Sequence, residues 1–154
     1  MGNIFVADSE NCRIRRIDHK TGIVDTIAQT GGPDQNCPPQ AGHIPWQPSP
    51  SDPAVDSEGN VYFVQGSEDV VARVGPDREK QSIFAGNGKR GFAGDGGPAT
   101  AAKLANPAGL VVDLEGNLFV SEYVNNRIRR VDAKTKIITT VAGNGLPHRT
   151  DVEE

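Results

Sequence analysis

A short pattern of glycine, asparagine and apolar residues occurs three times in this chain at a fixed spacing. The copies lie at residues 2–6, 59–64 and 116–120, and each starts 57 residues after the one before. A fixed period of about this size, carrying short apolar runs and turn glycines, is typical of propellers and other repeat arrays. The repeat therefore constrains the fold more strongly than any other feature of the sequence.

The apolar runs within each unit predict β-strands. They are short, rich in valine, isoleucine and phenylalanine, and bounded by turn-forming residues. The pattern Asp-x-x-Gly-Asn, at 56–60 and 113–117, predicts a tight hairpin turn with glycine at the position of positive φ. Four antiparallel strands make one propeller blade. In the third unit the four strands are predicted at about 109–113, 117–121, 127–131 and 137–142.

We therefore expect an all-β fold, a β-propeller of four-stranded antiparallel blades with about three blades present as an open arc. Pro53 weakens the prediction of a first strand in blade 2, because proline removes a hydrogen-bond donor from the ladder. The whole chain, 1–154, forms one propeller segment. Its expected parts are a partial blade 1 at 2–28, blade 2 at 51–85, blade 3 at 108–142, linkers at 29–50 and 86–107, and a tail at 143–154.

The motifs of the third unit and of the second linker resemble those of NHL-repeat proteins. Residues 113–121 read Asp-x-x-Gly-Asn-Leu-Phe-Val-Ser, and residues 125–132 read Asn-Asn-Arg-Ile-Arg-Arg-Val-Asp. The glycine-rich linker after residue 85 is similar to the blade-to-blade linker of bacterial NHL proteins. The resemblance covers nearly the whole chain. It implies a β-propeller, usually six-bladed, and slightly favours an extracellular or periplasmic location.

Fewer than three blades cannot close a ring of the expected kind. The first unit starts at its second strand, and the last ends at its fourth. Ring closure is what removes exposed strand edges in these folds. We therefore expect either a fragment of a longer protein, whose missing blades close the ring, or self-association with another chain.

Composition narrows the classes of function. The net charge of −4 offers no general basic field for nucleic acid, and no apolar run is long enough to span a membrane. Cys12 and Cys37 either pair in an oxidising compartment or remain thiols. We expect no metal, no cofactor and no catalytic set. The three histidines, which lack metal-ligand spacing, are His19, His43 and His148.

One glycine pattern has the spacing of a phosphate-binding loop, Gly86-x-Gly88-x-x-Gly91. That mechanism needs a helix directly after the loop, so that backbone N–H groups converge on phosphate. Further glycines at 94, 96 and 97 prevent such a helix, and Gly143 recurs at the blade position of Gly86. The pattern therefore favours an interblade turn.

Acidic and arginine residues change together among the three copies. An ion pair across neighbouring strands would be lost in step, because one partner alone would leave an uncompensated charge. We therefore predict a structural ion pair in each outer blade. The residue pairs are Asp8 with Arg13 in the first copy, Glu122 with Arg127 in the third, and the neutral Gln65 with Val70 in the middle copy.

The loops after strands two and four of each blade emerge on the same side, because strands alternate in direction. We call this side the loop face. Loops on a rigid scaffold often carry function, and aromatic residues dominate interface hot spots. The candidate binding residues on the loop face are Trp46, Lys89, Arg90, Phe92, Asp95, Tyr123, Asn125 and Asn126.

These features favour a non-catalytic scaffold or binding module, whose loop face binds a protein or a small ligand. One alternative is a fragment of a propeller lyase or hydrolase whose catalytic residues lie on other blades. Another is single-stranded RNA binding through Arg16 and Arg130, which the net negative charge disfavours. A fold by itself does not choose among these functions.

Overall fold

The structure is a computed structural model that describes residues 2–30, 50–65 and 68–146. These residues form three antiparallel sheets and two short 3-10 turns, Ser9–Asn11 and Ala99–Ala101. The strands are β1 (Ile4–Asp8), β2 (Arg13–Ile17), β3 (Val24–Gln29), β4 (Pro50–Val55), β5 (Val61–Gln65), β6 (Val70–Val74), β7 (Gln81–Ala85), β8 (Pro107–Val112), β9 (Leu118–Glu122), β10 (Arg127–Val131) and β11 (Ile138–Ala142).

Each sheet is one blade, formed by strands that follow one another along the chain. Blade 1 contains β1 to β3, blade 2 contains β4 to β7, and blade 3 contains β8 to β11. The inner strand β4 lies against β1 on one side and β8 on the other, so the three blades stand side by side. The expected all-β architecture of antiparallel blades in an open arc is confirmed.

The blades pack face to face through apolar side chains. We call the side of a blade that points to the next blade its forward face and the opposite side its back face. Ile14 and Ile27 on the forward face of blade 1 pack with Val61 and Phe63 on the back face of blade 2. All four side chains are buried, so this interface is part of the core.

The contact between blades 2 and 3 uses the same repeat positions. Tyr62 and Val71 on the forward face of blade 2 pack with Leu118 and Val120 on the back face of blade 3. Leu104, from the second linker at residues 86–106, is fully buried in the same cluster. The linker therefore contributes to the core as well as connecting two blades.

The first strand of blade 2 forms in spite of Pro53. β4 pairs with β5 through a register shift between Ser51 and Ala54, and Asp52 in that shift has a φ of +48°. A bulge leaves its extra residues outside the ladder. Pro53 therefore removes no donor that the sheet uses. The expectation that Pro53 would weaken the first strand of blade 2 was wrong.

The outermost strand of every blade carries a bulge at the same repeat position. The pairing of the last two strands skips one residue in each blade: Ile27 in β3, Phe84 in β7 and Val141 in β11. A bulge of this kind bends the strand and increases its right-handed twist. The three blades thus share one irregularity as well as one strand order.

Glycine is required where the chain leaves a blade. Gly86 has a φ of +89°, and a Cβ added there would lie 2.6 Å from the carbonyl oxygen of Asp69. Gly143 occupies the same place in blade 3, and its added Cβ would meet the carbonyl oxygen of Asn126. Both the left-handed backbone and the close approach exclude a side chain at these two positions.

Asp132 organises the turn between β10 and β11. Its Oδ1 accepts hydrogen bonds from the backbone N–H of Thr135 at 2.9 Å, from the hydroxyl of Thr135 at 3.0 Å and from the N–H of Lys134 at 3.0 Å. The N–H of Thr135 lowers the pKa of Asp132 most, and these donors together bring it to about 2. Asp18 makes the equivalent contacts with Thr21 in blade 1.

We expect Asp132→Asn to lower the free energy of unfolding at neutral pH and to lower it less at acidic pH. A carboxylate whose folded pKa lies below its unfolded value of 3.8 contributes stability above 3.8, and that contribution is lost as the pH falls towards 2. Denaturant unfolding of both proteins between pH 7 and pH 2 should therefore show the gap in free energy of unfolding narrowing. A gap that stays constant over this range would contradict the assignment.

Candidate functional site

The second linker is attached to blade 3 by hydrogen bonds at the loop face. The backbone N–H of Tyr123 donates to the carbonyl of Asn106 at 3.1 Å. The side-chain amide of Asn125 donates to the carbonyl of Gly91 at 2.9 Å. The loop after β9 and the linker therefore form one continuous surface.

A buried arginine joins the linker to the blade. Arg129 is fully buried, and its Nη2 lies 2.7 Å from Oδ1 of Asp95 in the linker. Its Nη1 lies 3.4 Å from Oε2 of Glu122, which is also fully buried. Nη2 donates a further hydrogen bond to the carbonyl of Ala93 at 3.3 Å. We call Glu122, Arg129 and Asp95 the linker brace.

Glu122 connects the brace to two further groups. Its Oε1 accepts hydrogen bonds from the backbone N–H of Ala105 and from the side-chain amide of Asn125, both at 3.0 Å. Burial raises the pKa of Glu122 above its usual value of 4.5, while the Ala105 N–H and the nearby Arg129 act in the opposite direction. The carboxylate therefore holds the linker and the loop after β9 in one arrangement.

The ion pairs involve a different arginine from the one expected. Glu122 and Arg127 lie directly opposite each other on neighbouring strands, as Asp8 and Arg13 do. The carboxylates nevertheless pair with the arginine two residues further along, a diagonal neighbour on the same side of the sheet that a long side chain can reach. The observed pairs are Glu122 with Arg129 and Asp8 with Arg15, the latter at 3.7 Å.

The comparison between copies applies equally to the corrected pair. The middle copy has Gln65 where the outer copies have the acid and Ala72 where they have the pairing arginine. Both residues are buried without charge. The acid and the arginine that pairs with it are therefore still lost together in the middle copy, although the sequence pattern indicated the arginine two residues earlier.

Arg127 takes a different role at the loop face. Its guanidinium donates to the carbonyl oxygens of Asn125 at 3.0 Å and Asn144 at 2.9 Å. Its Cζ lies 3.9 Å from the centre of the Phe92 ring, and the Cζ of Arg129 lies 5.0 Å from the same centre. Such cation–π contacts fix the ring of Phe92 beside two arginines.

The predicted loop-face residues divide into two groups. Phe92, Asp95 and Asn125 make the contacts that attach the linker to blade 3. Tyr123 is 76% exposed, and Trp46 lies outside the described residues. Lys89, Arg90 and Asn126 are also exposed, and Phe92 and Asp95 remain partly open to solvent beside their contacts.

The glycine pattern at 86–91 is an interblade turn in the structure. The N–H groups of Gly86, Asn87 and Gly91 donate to the carbonyls of Ala99, Ala102 and Leu104. These donors bind within the linker, so they do not converge on a common point as a phosphate loop requires.

A polar cavity of about 370 Å³ lies at the opposite end of the strands, between the turns of blades 2 and 3. Its lining includes Asp56, Tyr62, Arg73 and Lys136. The Tyr62 hydroxyl donates to Asp56 at 3.0 Å, and burial, followed by the Asp56 charge, raises the pKa of Tyr62 to about 12. Sequence reasoning missed this cavity, although an arginine at the position of Arg73 in all three copies was a usable signal.

The cysteines, the histidines and the possible metal and membrane features of the sequence can be compared with the described residues. Cys12 is buried and disulfide-bonded. Cys37, for which the sequence left both pairing and a free thiol open, lies outside the described residues, as do His43 and His148. Within the described ranges, no three His, Cys, Asp or Glu side chains are grouped closely enough to hold a metal ion. No helix in that part of the chain has the length and apolarity to cross a membrane.

Comparison with known proteins identifies the family. No protein-family model matches the chain. The human NHL repeat-containing protein 2 is 33% identical over 112 residues, which cover 64% of this chain and 15% of that protein. The chicken protein of the same name is 30% identical over 144 residues, which cover 83% of this chain and 19% of that protein. The chain belongs to the NHL-repeat β-propeller family. This NHL chain thus spans less than a fifth of either relative's length.

Solved structures agree on the fold of the NHL chain. A Bacteroides thetaiotaomicron protein of unknown function has a TM-score of 0.67 and 24% identity, and the match covers 91% of this chain and 32% of that one. Virginiamycin B lyase from Staphylococcus aureus has a TM-score of 0.58 and 18% identity, covering 90% and 37%. Likeness at this level of identity supports the propeller fold and leaves function open.

We expect the contributions of Glu122 and Arg129 to the stability of the protein to depend strongly on each other. Arg129→Met should lower the free energy of unfolding by about 3–5 kcal/mol, because it leaves the buried Glu122 without its cation. A double-mutant cycle with Glu122→Gln, measured by denaturant unfolding, should give a coupling on the order of 0.5–3 kcal/mol.

The same cycle between Glu122→Gln and Arg127→Met is the matched comparison. Arg127 lies directly opposite Glu122 but donates to backbone carbonyls instead of to its carboxylate. Its coupling should therefore be smaller. If Glu122 is coupled to Arg127 as strongly as to Arg129, or more strongly, the pairing predicted from the sequence is the right one.

Proposed function

We propose that this NHL propeller segment is a non-catalytic binding module whose loop face binds a partner protein. The observation that carries the proposal is an exposed tyrosine on a loop fixed by buried contacts. Tyr123 follows directly after Glu122 of the brace, and its own N–H is bonded to Asn106 of the linker. Its side chain is nevertheless 76% exposed.

Rigidity of this loop favours binding. A surface that is already ordered loses less conformational entropy when a partner docks. The brace, the stacked Phe92 and the Asn125 hydrogen bonds all restrict the loop face before any partner arrives. Tyrosine is also among the side chains enriched at interface hot spots.

The charge of the linker indicates the kind of partner. Lys89 and Arg90 are adjacent and exposed in the linker, while the chain as a whole carries a net charge of −4. A local basic pair on an acidic protein favours a partner that presents carboxylates, because complementary charge guides association and orientation.

Nucleic-acid binding receives less support from the same geometry. Arg16 pairs with Asp25 at 2.9 Å, and Arg130 pairs with Asp132 at 3.0 Å. A phosphate would have to compete with a carboxylate at both arginines. Binding of single strands that weakens steeply with salt would favour this reading over the protein-binding one.

A catalytic role is the second candidate, and the likeness to virginiamycin B lyase favours it. In this reading the catalytic residues belong to blades other than those described. Because those residues would lie outside this chain, the test is to incubate the protein encoded by the complete reading frame with virginiamycin B and to follow the products by mass spectrometry. Turnover would support the enzyme reading, and an unchanged substrate would leave binding as the better proposal for this segment.

We expect Tyr123→Ala to weaken partner binding without unfolding the protein. The side chain is exposed, so its loss should leave the core intact, while a hot-spot tyrosine contributes about 2 kcal/mol, or roughly 30-fold in affinity. Immobilised wild-type and variant chains can be compared for the proteins that they retain from a lysate of the source organism, quantified by mass spectrometry.

Leu114→Ala is the matched control. Leu114 is fully exposed but lies in a turn at the opposite end of the strands. Its replacement should leave retention unchanged. Equal retention by wild type and Tyr123→Ala, or equal loss in both variants, would remove the support for the loop face.

A further inference from the structure

The same strand position carries an arginine in all three blades, and the outer two blades pair it with a carboxylate. Arg16 in blade 1 lies 2.9 Å from Asp25, and Arg130 in blade 3 lies 3.0 Å from Asp132. Arg73 in blade 2 forms no salt bridge within the part of the chain that the structure describes. Blade 2 therefore has the cation of the outer blades without its counter-ion.

The loss of the counter-ion can be read from the sequence. In blade 2, Ser82 occupies the position of Asp25. Gly75 occupies the position of Asp132. Ser82 lies directly opposite Arg73 on the neighbouring strand, which is the place that Asp25 has relative to its own arginine in blade 1. Both acidic positions that the outer blades use are thus neutral in blade 2, while the arginine is still present.

Arg73 lines the polar cavity of about 370 Å³ between the turns of blades 2 and 3. Its Nη2 donates to the side-chain oxygen of Asn60 at 2.5 Å, and this acceptor is a neutral amide. A guanidinium carries several N–H donors in a planar fork that fits a carboxylate. The contact with Asn60 therefore leaves the positive charge of Arg73 uncompensated at the cavity.

Asp56 lines the same cavity, but its carboxylate is held by other groups. Its Oδ1 accepts hydrogen bonds from the backbone N–H of Glu58 at 3.0 Å and of Asn60 at 2.9 Å. Its Oδ2 accepts from the side-chain amide of Asn60 at 2.7 Å and from the Tyr62 hydroxyl at 3.0 Å. Asp56 therefore organises its own turn instead of pairing with the arginine.

The cavity also has a second cation and two exposed carboxylates. Lys136 lines it from the turn between β10 and β11, and its Nζ donates to the carbonyl of Ala133 at 2.5 Å. The exposed Glu58 and Glu115 line it from the β4–β5 and β8–β9 turns. The lining therefore presents both signs of charge, each on different elements of the two blades.

We propose that this cavity binds a small zwitterion of the amino-acid type, with its carboxylate on Arg73 and Lys136 and its ammonium group on Glu58 or Glu115. The volume lies within the range of small-molecule pockets, about 300–1,000 Å³. A ligand with a single charge would leave the groups of the other sign unmatched, which disfavours it relative to a zwitterion. The cavity is at the opposite end of the strands from the loop face, so the proposal is independent of partner binding there.

Titration calorimetry of the full-length protein with each of the standard amino acids tests the proposal. At millimolar concentrations at least one of them should give a heat of binding. Acetate and methylammonium each carry one of the two charged groups, so they should bind more weakly. The proposal is wrong if no amino acid binds. It is also wrong if acetate binds as tightly as the amino acids, because the cavity would then be a simple anion site.

Ser82→Asp places in blade 2 the acid that blade 1 has opposite its arginine. It should weaken binding of the tightest amino acid by about tenfold or more, because the new carboxylate competes for the guanidinium of Arg73. The midpoint of thermal unfolding should not fall, which separates this effect from misfolding. Ser82→Asn is the neutral comparison and should bind like the wild type. Equal affinity of the two variants would overturn the assignment of Arg73.

Thr139→Asp is the matched control for the added charge. Thr139 lies opposite Arg130 at the same repeat position in blade 3, and neither residue belongs to the described lining of the cavity. This variant should bind the amino acid with nearly the affinity of the wild type. If it weakens binding as much as Ser82→Asp does, the effect comes from net charge alone and the proposed site is refuted.

Discussion

Face-to-face burial of neighbouring blades is the constraint on which this structure depends. A four-stranded sheet of this size has apolar residues on both sides, and each side is removed from water only by the next blade. Full burial of one such valine, leucine or isoleucine contributes about 1.5–3 kcal/mol. Because the same positions meet at both contacts, the stability and the order of the three blades follow from one repeated surface.

The linker brace shows how a charged group is accommodated beside that core. Burial of an ion pair costs desolvation energy, which is offset only when the charges are paired and hydrogen-bonded. Arg129 meets two carboxylates, and Glu122 also accepts from Ala105 and Asn125. The middle blade has neutral residues at both positions, so it avoids this cost and lacks the corresponding brace.

The three sheets could be predicted from the repeat, because its period marks the extent of each blade and its turn residues mark where the strands begin and end. The partner of Glu122 was not predictable, since strand spacing cannot distinguish the opposite arginine from the diagonal one when a linker supplies a second carboxylate. Pro53 was misleading because a bulge is not visible in a single sequence. The loop-face candidates were chosen by residue type, which does not separate Phe92, held by two arginines, from the exposed Tyr123.

The bulge in each outermost strand has a consequence for how insertions and deletions are tolerated. Ile27, Phe84 and Val141 are the extra residues, and Ile27 and Phe84 pack on the forward side of their blades. Ala85 pairs with Val71 and Ile83 pairs with Ala72, so loss of Phe84 would join two residues that already have successive partners. Residues 81–83 would keep their partners and their sides of the sheet, while the strand would lose the bend and twist that the bulge gives it. A single-codon deletion at this position would therefore remove one apolar side chain from the contact between blades 2 and 3 and leave the strand pairing unchanged.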